Sequence, residues 1–228
     1  MSKKLFKTGV KGLDTLLGGG IRWGSSVTLA SDLLDRVTLC HQIIANALRE
    51  GFVVLYWCFK EAPERIRFMM EDLDIDIEKY EKKRLIRFYT PLETELTRDL
   101  KESSELLKIL DNFTMKMMKD VTLLIMRGKK VLFILNNVSA LADLLNEDPK
   151  WKDFTTKNST WLRKLVRVIS IQISDLKDLE LADTLADFCL VMKNIDGIPY
   201  ISVTKFSTAG WVPYRLTDEG IEIAEEFL

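Results

Sequence analysis

Short, nearly unbroken apolar runs alternate with longer segments of helical period along this 228-residue chain, and that alternation constrains its fold more than any other feature. Val27 to Ala30, Phe52 to Phe59, Leu85 to Tyr89 and Val131 to Leu135 are of strand length, the last unbroken enough to be buried on both faces. Leu39 to Arg49, stopped by Gly51, and Pro63 to Leu73, with its proline at a favourable first-turn position, read as helices. Leu100, Leu107, Leu110, Phe113, Met117, Val121 and Leu124 fall on one apolar face of a long helix that Gly128 ends. Trp161 to Ser174 contains another helix-to-strand passage. Leu190 to Lys193, Tyr200 to Lys205 and Pro213 to Thr217 read as closing strands, the first two joined by a turn at Asp196-Gly197. Strand-helix-strand order of this kind predicts an α/β fold, a mainly parallel twisted sheet flanked by helices with an antiparallel C-terminal edge. No Gly/Ser/Pro-rich linker divides the chain, so a single domain over 1–228 is expected.

Composition narrows the function classes. With 47% hydrophobic residues and a formal net charge of −1, the chain is not intrinsically disordered. A pI near 6.0 gives no bulk electrostatic ground for nucleic-acid or membrane binding, although a local patch stays open. Cys40, Cys58 and Cys189 each sit in an apolar run and read as buried free thiols. The single histidine, His41, reads as a structural residue, and a zinc site built from Cys and His is not expected. The basic opening lacks an apolar signal core, and the longest apolar run, Val53 to Phe59, falls far short of the ~20 residues of a membrane span. A cytoplasmic location is therefore expected. Only two glutamines beside abundant Lys and Glu lean toward a thermophilic source.

Six of the eleven glycines precede residue 25, and none lies between Ser25 and Glu50. The opening Thr8-Gly9-Val10-Lys11-Gly12-Leu13-Asp14, the triple Gly18-Gly19-Gly20 and then Gly24 all come before the first buried strand. In this the chain resembles the RecA/RadA/KaiC superfamily of P-loop ATPases, and within it the KaiC-like proteins. The resemblance resumes at Tyr56–Glu64, at Val131–Leu141, at Leu185–Asp187, at Val203-Thr204-Lys205 and at Tyr214–Ile221. It implies a RecA-like P-loop NTPase fold and, in its ordinary form, an ATP and Mg²⁺ site between the first strand and its helix.

Family phosphate loops read G-x-x-x-x-G-K-[ST], whose glycines let backbone N–H groups cradle phosphates while the lysine and hydroxyl serve the β/γ-phosphates and Mg²⁺. Aligned on Leu39, those positions hold Ala30-Ser31-Asp32-Leu33-Leu34-Asp35-Arg36-Val37. Ala30 and Asp35 disfavour positive-φ turns. The Asp35 carboxylate would repel each phosphate charge by about 4 kcal/mol at ~4 Å and an effective dielectric of ~20. Arg36 is a planar fork where a compact ammonium is usual, and Val37 lacks a hydroxyl. Thr38 has one, but a neighbouring helical position points ~100° away. The segment reads instead as a helix start, with Ser31 or Asp32 as N-cap, Asp35 in a capping-box-like place and Arg36 as partner to the carboxylates.

The resemblance implies three more losses or vestiges. Asn136 stands where the family has a metal-orienting aspartate. Glu61 matches the glutamate that activates water, left without a phosphate cradle to act upon. Lys205 matches a lysine that relatives pair with an arginine reaching a neighbour's nucleotide, and Ser207 takes the arginine's place. No catalytic residues, no metal site and no cofactor are therefore expected, with ATP and Mg²⁺ not bound in the family manner.

The functional expectation is a non-catalytic RecA/KaiC-like domain, a pseudo-ATPase acting as a protein- or peptide-binding or oligomerisation module. Two alternatives are a nucleotide sensor or ATPase with an altered pocket, and a single-stranded nucleic-acid accessory. The latter would use Asn146–Arg163, where Lys150, Lys152, Lys157, Arg163 and the adjoining Lys164 interleave with Trp151, Phe154 and Trp161. Its bland counterpart is a helix-bordered loop packing those aromatics on the domain. Met115, Met117, Met118 and Met126 read mainly as core filler, with an adaptable partner face as the alternative.

Overall fold

A computed structural model describes residues 5–59, 61–90, 103–136, 139, 143, 145, 149–165, 167–180, 186–204 and 210–227. Its strands are β1 (Leu5–Phe6), β2 (Ile21–Arg22), β3 (Ser26–Ala30), β4 (Val53–Trp57), β5 (Ile86–Tyr89), β6 (Val131–Leu135), β7 (Val168–Ser174), β8 (Phe188–Ile195), β9 (Ile198–Val203), β10 (Val212–Thr217) and β11 (Gly220–Ile223). The helices are α1 (Leu13–Leu16), α2 (Asp35–Arg49), α3 (Pro63–Glu71), α4 (Ile77–Lys82), α5 (Ser103–Met126) and α6 (Pro149–Arg163).

Nine strands form one sheet in the order β11-β10-β9-β8-β3-β7-β6-β4-β5, and β1 pairs with β2 beside it. The pairs from β8 through β3, β7, β6 and β4 to β5 are parallel, whereas β8–β9, β9–β10 and β10–β11 are antiparallel. The predicted α/β class and antiparallel edge are thus what the chain adopts. The β8–β9 turn also forms where expected: Ile195 pairs with Ile198 across Asp196 and Gly197, which both take positive φ, as a tight hairpin of matching twist demands.

The strands read as continuous apolar runs because helices cover both faces. Alternate residues of β4, Val54 and Tyr56, join Leu39, Ile43 and Ile44 of α2 in one core. Val53, Leu55 and Trp57 point the other way, into a second core with Leu110, Met117 and Val121 of α5. The predicted stripe on α5 is thereby explained, apart from Leu100, which lies outside the described residues. Met117 fills core, while Met115 and Met126 are exposed.

Three features differ from expectation. The stretch read as a possible polar loop is the helix α6, whose Phe154 and Trp161 pack on the second core. Helix α2 starts at Asp35, after Leu34 and not directly after the expected N-cap residues Ser31 or Asp32. Strand β11 had no apolar run of its own to announce it. Its Ile221 N–H donates to Gln42 Oε1 at 2.8 Å and its carbonyl accepts from Gln42 Nε2 at 3.4 Å, so a side-chain amide stands in for a neighbouring strand. Ile223 N–H donates to the Lys11 carbonyl at 3.1 Å.

Candidate functional site: the strand-to-helix loop at the sheet's switch point

In open α/β sheets, ligands sit beyond the carboxyl ends of the strands, where successive connections leave in opposite directions. Here β3 connects through α2 toward β4, and its neighbour β7 connects the other way to β8. The crevice between the ends of β3 and β7 is therefore the place to look. It is where the alignment on Leu39 puts Ala30 to Val37, the segment in the place of the family's phosphate loop.

Ala30 ends β3 opposite Ser174 and Val191, and Asp35 opens α2, leaving Ser31 to Leu34 as the loop. No residue of that loop has a positive φ; among the described non-glycine residues only Asp74, Arg84 and Asp196 do. A backbone that wraps an anion needs alternating right- and left-handed residues, so this loop does not form such a nest. It is held another way. Ser31 N–H donates to the Ser174 carbonyl at 3.1 Å, and Ser31 Oγ accepts from Leu33 N–H at 2.9 Å.

Arg36 closes the loop on itself. Its Nη1 donates to the carbonyls of Ser31 and Leu33, and its Nη2 pairs with Asp175 Oδ1 at 2.6 Å. Its Nε is buried with no hydrogen-bond partner. A guanidinium turned onto its own loop's carbonyls and a carboxylate offers the phosphate position little beyond that orphan N–H.

The carboxylates do not cap α2 as the sequence suggested. The residue before the helix is Leu34, with no side-chain cap. Asp32 Oδ1 instead accepts from Leu176 N–H at 3.1 Å, tying the loop to the segment after β7. Asp35 Oδ2 accepts from the Tyr214 hydroxyl of β10 at 2.7 Å. Burial, then the Asp35 carboxylate, push the Tyr214 phenol far above its usual range. Val37 faces the core, and Thr38 is half-buried one position round the helix.

Asn136 and Glu61, the two positions beyond the loop that the resemblance singled out, are brought together. Asn136, buried just past β6, donates from Nδ2 to Glu61 Oε2 at 2.7 Å, while its own N–H reaches the Trp57 carbonyl at 3.1 Å. An amide can donate to Glu61, whereas an ionised aspartate there would only repel it. Lys205, with Ser207, lies outside the described residues.

A family model, the KaiC ATPase, matches residues 6–186. The chain belongs to the KaiC ATPase family. Among solved structures it is similar to a KaiC-like protein from the hyperthermophilic archaeon Pyrococcus horikoshii, at 19% identity and a TM-score of 0.72, covering 97% of this chain and 99% of that one. At that identity the likeness speaks for the fold. No curated protein matches the chain.

Within this KaiC-family chain, the sequence named the loop residues but not their partners. Ser174 ends β7 and Asp175 follows it, Tyr214 is in β10 and Ser139 lies past β6, all far from the loop in sequence. Ser139 Oγ accepts from Asp175 N–H at 2.8 Å and lies 3.1 Å from Ser174 Oγ, which holds the Asp175 carboxylate in place for Arg36. An isolated Asp after a strand carries no signal of such a role.

His41 and the cysteines are where a structural reading puts them. His41 Nε2 lies 3.4 Å from the Tyr56 hydroxyl, and burial lowers its pKa to about 4, so the ring is neutral at pH 7. Cys40, Cys58 and Cys189 are all buried, and none is in a disulfide. Among the described residues no group of three or more His, Cys, Asp or Glu side chains is placed to hold a metal, and no helix is long and apolar enough to cross a membrane.

Proposed function

We propose that this chain is a non-catalytic member of the KaiC ATPase family that serves as a protein- or peptide-binding, or self-associating, module. One observation carries the reading: the Arg36 guanidinium, at the position of the family's phosphate-binding lysine, is turned onto the Ser31 and Leu33 carbonyls and Asp175. An incoming triphosphate would have to break those bonds in a loop without left-handed residues and settle beside Asp32 and Asp35. The residues present therefore do not fit Mg-ATP. There is no hydroxyl at Val37 to hold the metal, and Asn136 has no charge to orient it. Glu61 accepts a hydrogen bond from Asn136 at 2.7 Å, which occupies one of its carboxylate oxygens.

Binding in place of turnover is also supported by Leu34, which is 72% exposed at the loop's tip. An apolar side chain there suits a polypeptide better than a nucleotide's phosphates. Isothermal titration with ATP, ADP and GTP, with and without Mg²⁺, tests the reading. It expects no heat at micromolar concentrations. Micromolar affinity for any of the three would replace it with the altered-pocket nucleotide sensor.

A further inference from the structure

The connections at the opposite end of the sheet, where the parallel strands begin, gather exposed cations, one of which, Lys130, also lies over the Trp23 and Phe52 rings. Arg127, Lys129 and Lys130 lie between α5 and β6, Lys164 and Arg167 between α6 and β7, and Arg22 just before β3. All six are exposed, and among the described residues none forms an ion pair. The topology makes them neighbours, because β6, β7 and β3 lie side by side and start at this end. Val131 N–H bonds the Arg167 carbonyl at 3.1 Å, a Cβ on Gly128 would lie 3.6 Å from Arg167 Nη1, and Lys130 Nζ sits 5.4 Å from the Trp23 ring centre. At ~4.8 Å per strand, the three strand starts span about 10 Å.

Helix C-termini favour cations, which accounts for Arg127 and Lys164 at the ends of α5 and α6. Contact with the Trp23 and Phe52 rings accounts for Lys130, but neither effect accounts for Arg22, Lys129 or Arg167. Two described acids, Asp187 and Glu50, also lie close before strand starts at this end. Asp187 is engaged by Ser26 N–H at 2.8 Å, and Glu50 adjoins its own exposed Arg49. On a chain of net charge −1, an unpaired cluster of this size is a local field that bulk charge conceals.

We infer that this face binds the phosphate backbone of double-helical nucleic acid without reading its sequence. The positive field and the planar guanidiniums match phosphate oxygens. A single strand would need open aromatic faces for its bases. The aromatic side chain at this patch, Trp23, is packed on Phe52 at 5.2 Å between ring centres and capped by Lys130, so stacking is not on offer. This site is distinct from α6, whose Phe154 and Trp161 are turned to the core, and from the loop at the far end of the sheet.

Fluorescence anisotropy with a labelled 20-base-pair duplex, titrated across a salt series, tests the inference. About four to five phosphate contacts give a slope near −4 in log affinity against log salt, and the double variant Arg127→Gln/Arg167→Gln reduces its magnitude by about 2. At low salt that variant binds at least tenfold more weakly while keeping the parent's melting temperature. Should it fail to fold, Lys129→Gln/Lys164→Gln gives the same readout. Absence of duplex binding at low salt, affinity untouched by a folded double variant, tighter binding of the matching single strand, or equal competition by polyglutamate would each overturn it.

Discussion

The opening segment, Thr8 to Gly20, and the loop after β3, Ser31 to Leu34, are two stretches where a KaiC-family chain carries its signature, and here they have had opposite fates. In the first, Asp14 Oδ1 accepts from both Thr8 N–H at 2.8 Å and Thr8 Oγ at 2.9 Å. Gly12 sits at φ 75°, where a Cβ would lie 2.6 Å from the Ile223 carbonyl, and Gly20 at φ 125°, where it would lie 2.4 Å from that of Phe6. Those residues answer to the fold itself. The loop's pattern answers to a ligand in the family. On the proposed reading no nucleotide makes that demand here, nothing in the packing requires glycine or lysine, and Asp35 and Arg36 take protein partners, Tyr214 and Asp175. The contrast teaches that survival of a family motif reports which of its parts also hold the chain together.

The largest test of this contrast is Gly12→Val. A branched side chain at positive φ pressed on a carbonyl should cost about 3 kcal/mol or more, read as a lower urea midpoint. An unchanged midpoint would erase the distinction between the two stretches.

Beyond the rewritten loop, α2 enters the core and is again constrained, as His41 shows. Its folded pKa of about 4 lies below the unfolded value of 6.5, so the unfolded state binds the proton first as pH falls. Stability should therefore drop by about 3 kcal/mol between pH 6.5 and 4, and His41→Leu should flatten that limb in urea melts at stepped pH. A wild-type limb no steeper than the variant's would show that burial there is not strict.

Asn136→Asp probes the altered site from the other side. It sets two carboxylates in hydrogen-bond contact, raising the pKa of the pair in the folded state. Its stability then falls as pH rises through that value. The variant should be about 2 kcal/mol weaker than the parent at pH 7, with the gap closing toward pH 4. A constant gap would mean that the Glu61 contact is incidental.

Tyr214→Phe should have the smallest effect, about 1 kcal/mol, because it removes one hydrogen bond and leaves Asp35 partly open to water. A loss as large as that from Gly12→Val would place the loop among the parts the fold cannot spare.

Much of this was legible in the chain itself. Val131 to Leu135 was found to the residue, since an apolar run bounded by Gly128 and Asn136 admits little else. The stripe on α5 declared itself by spacing. The start of α2 within this segment was legible, but not that Leu34, which has no side chain to cap with, would precede it. Strand β11 was hidden because its edge is satisfied by Gln42 and Lys11, not by a hydrophobic pattern. At the loop, the changed residues could be named from sequence, but Asp32 and Asp35 were assigned to capping. Their true partners, Leu176 and Tyr214, are set by sheet order, which no local spacing encodes.

Gln42 carries a consequence for assembly. By engaging both polar groups of Ile221, it acts as a one-residue stopper on that flank of the sheet, with the Lys11 carbonyl sealing Ile223 beside it. A second chain seeking to extend the sheet there would first have to evict an amide already anchored on α2. Growth by strand addition is disfavoured on that side, and association through side-chain surfaces is left as the easier route.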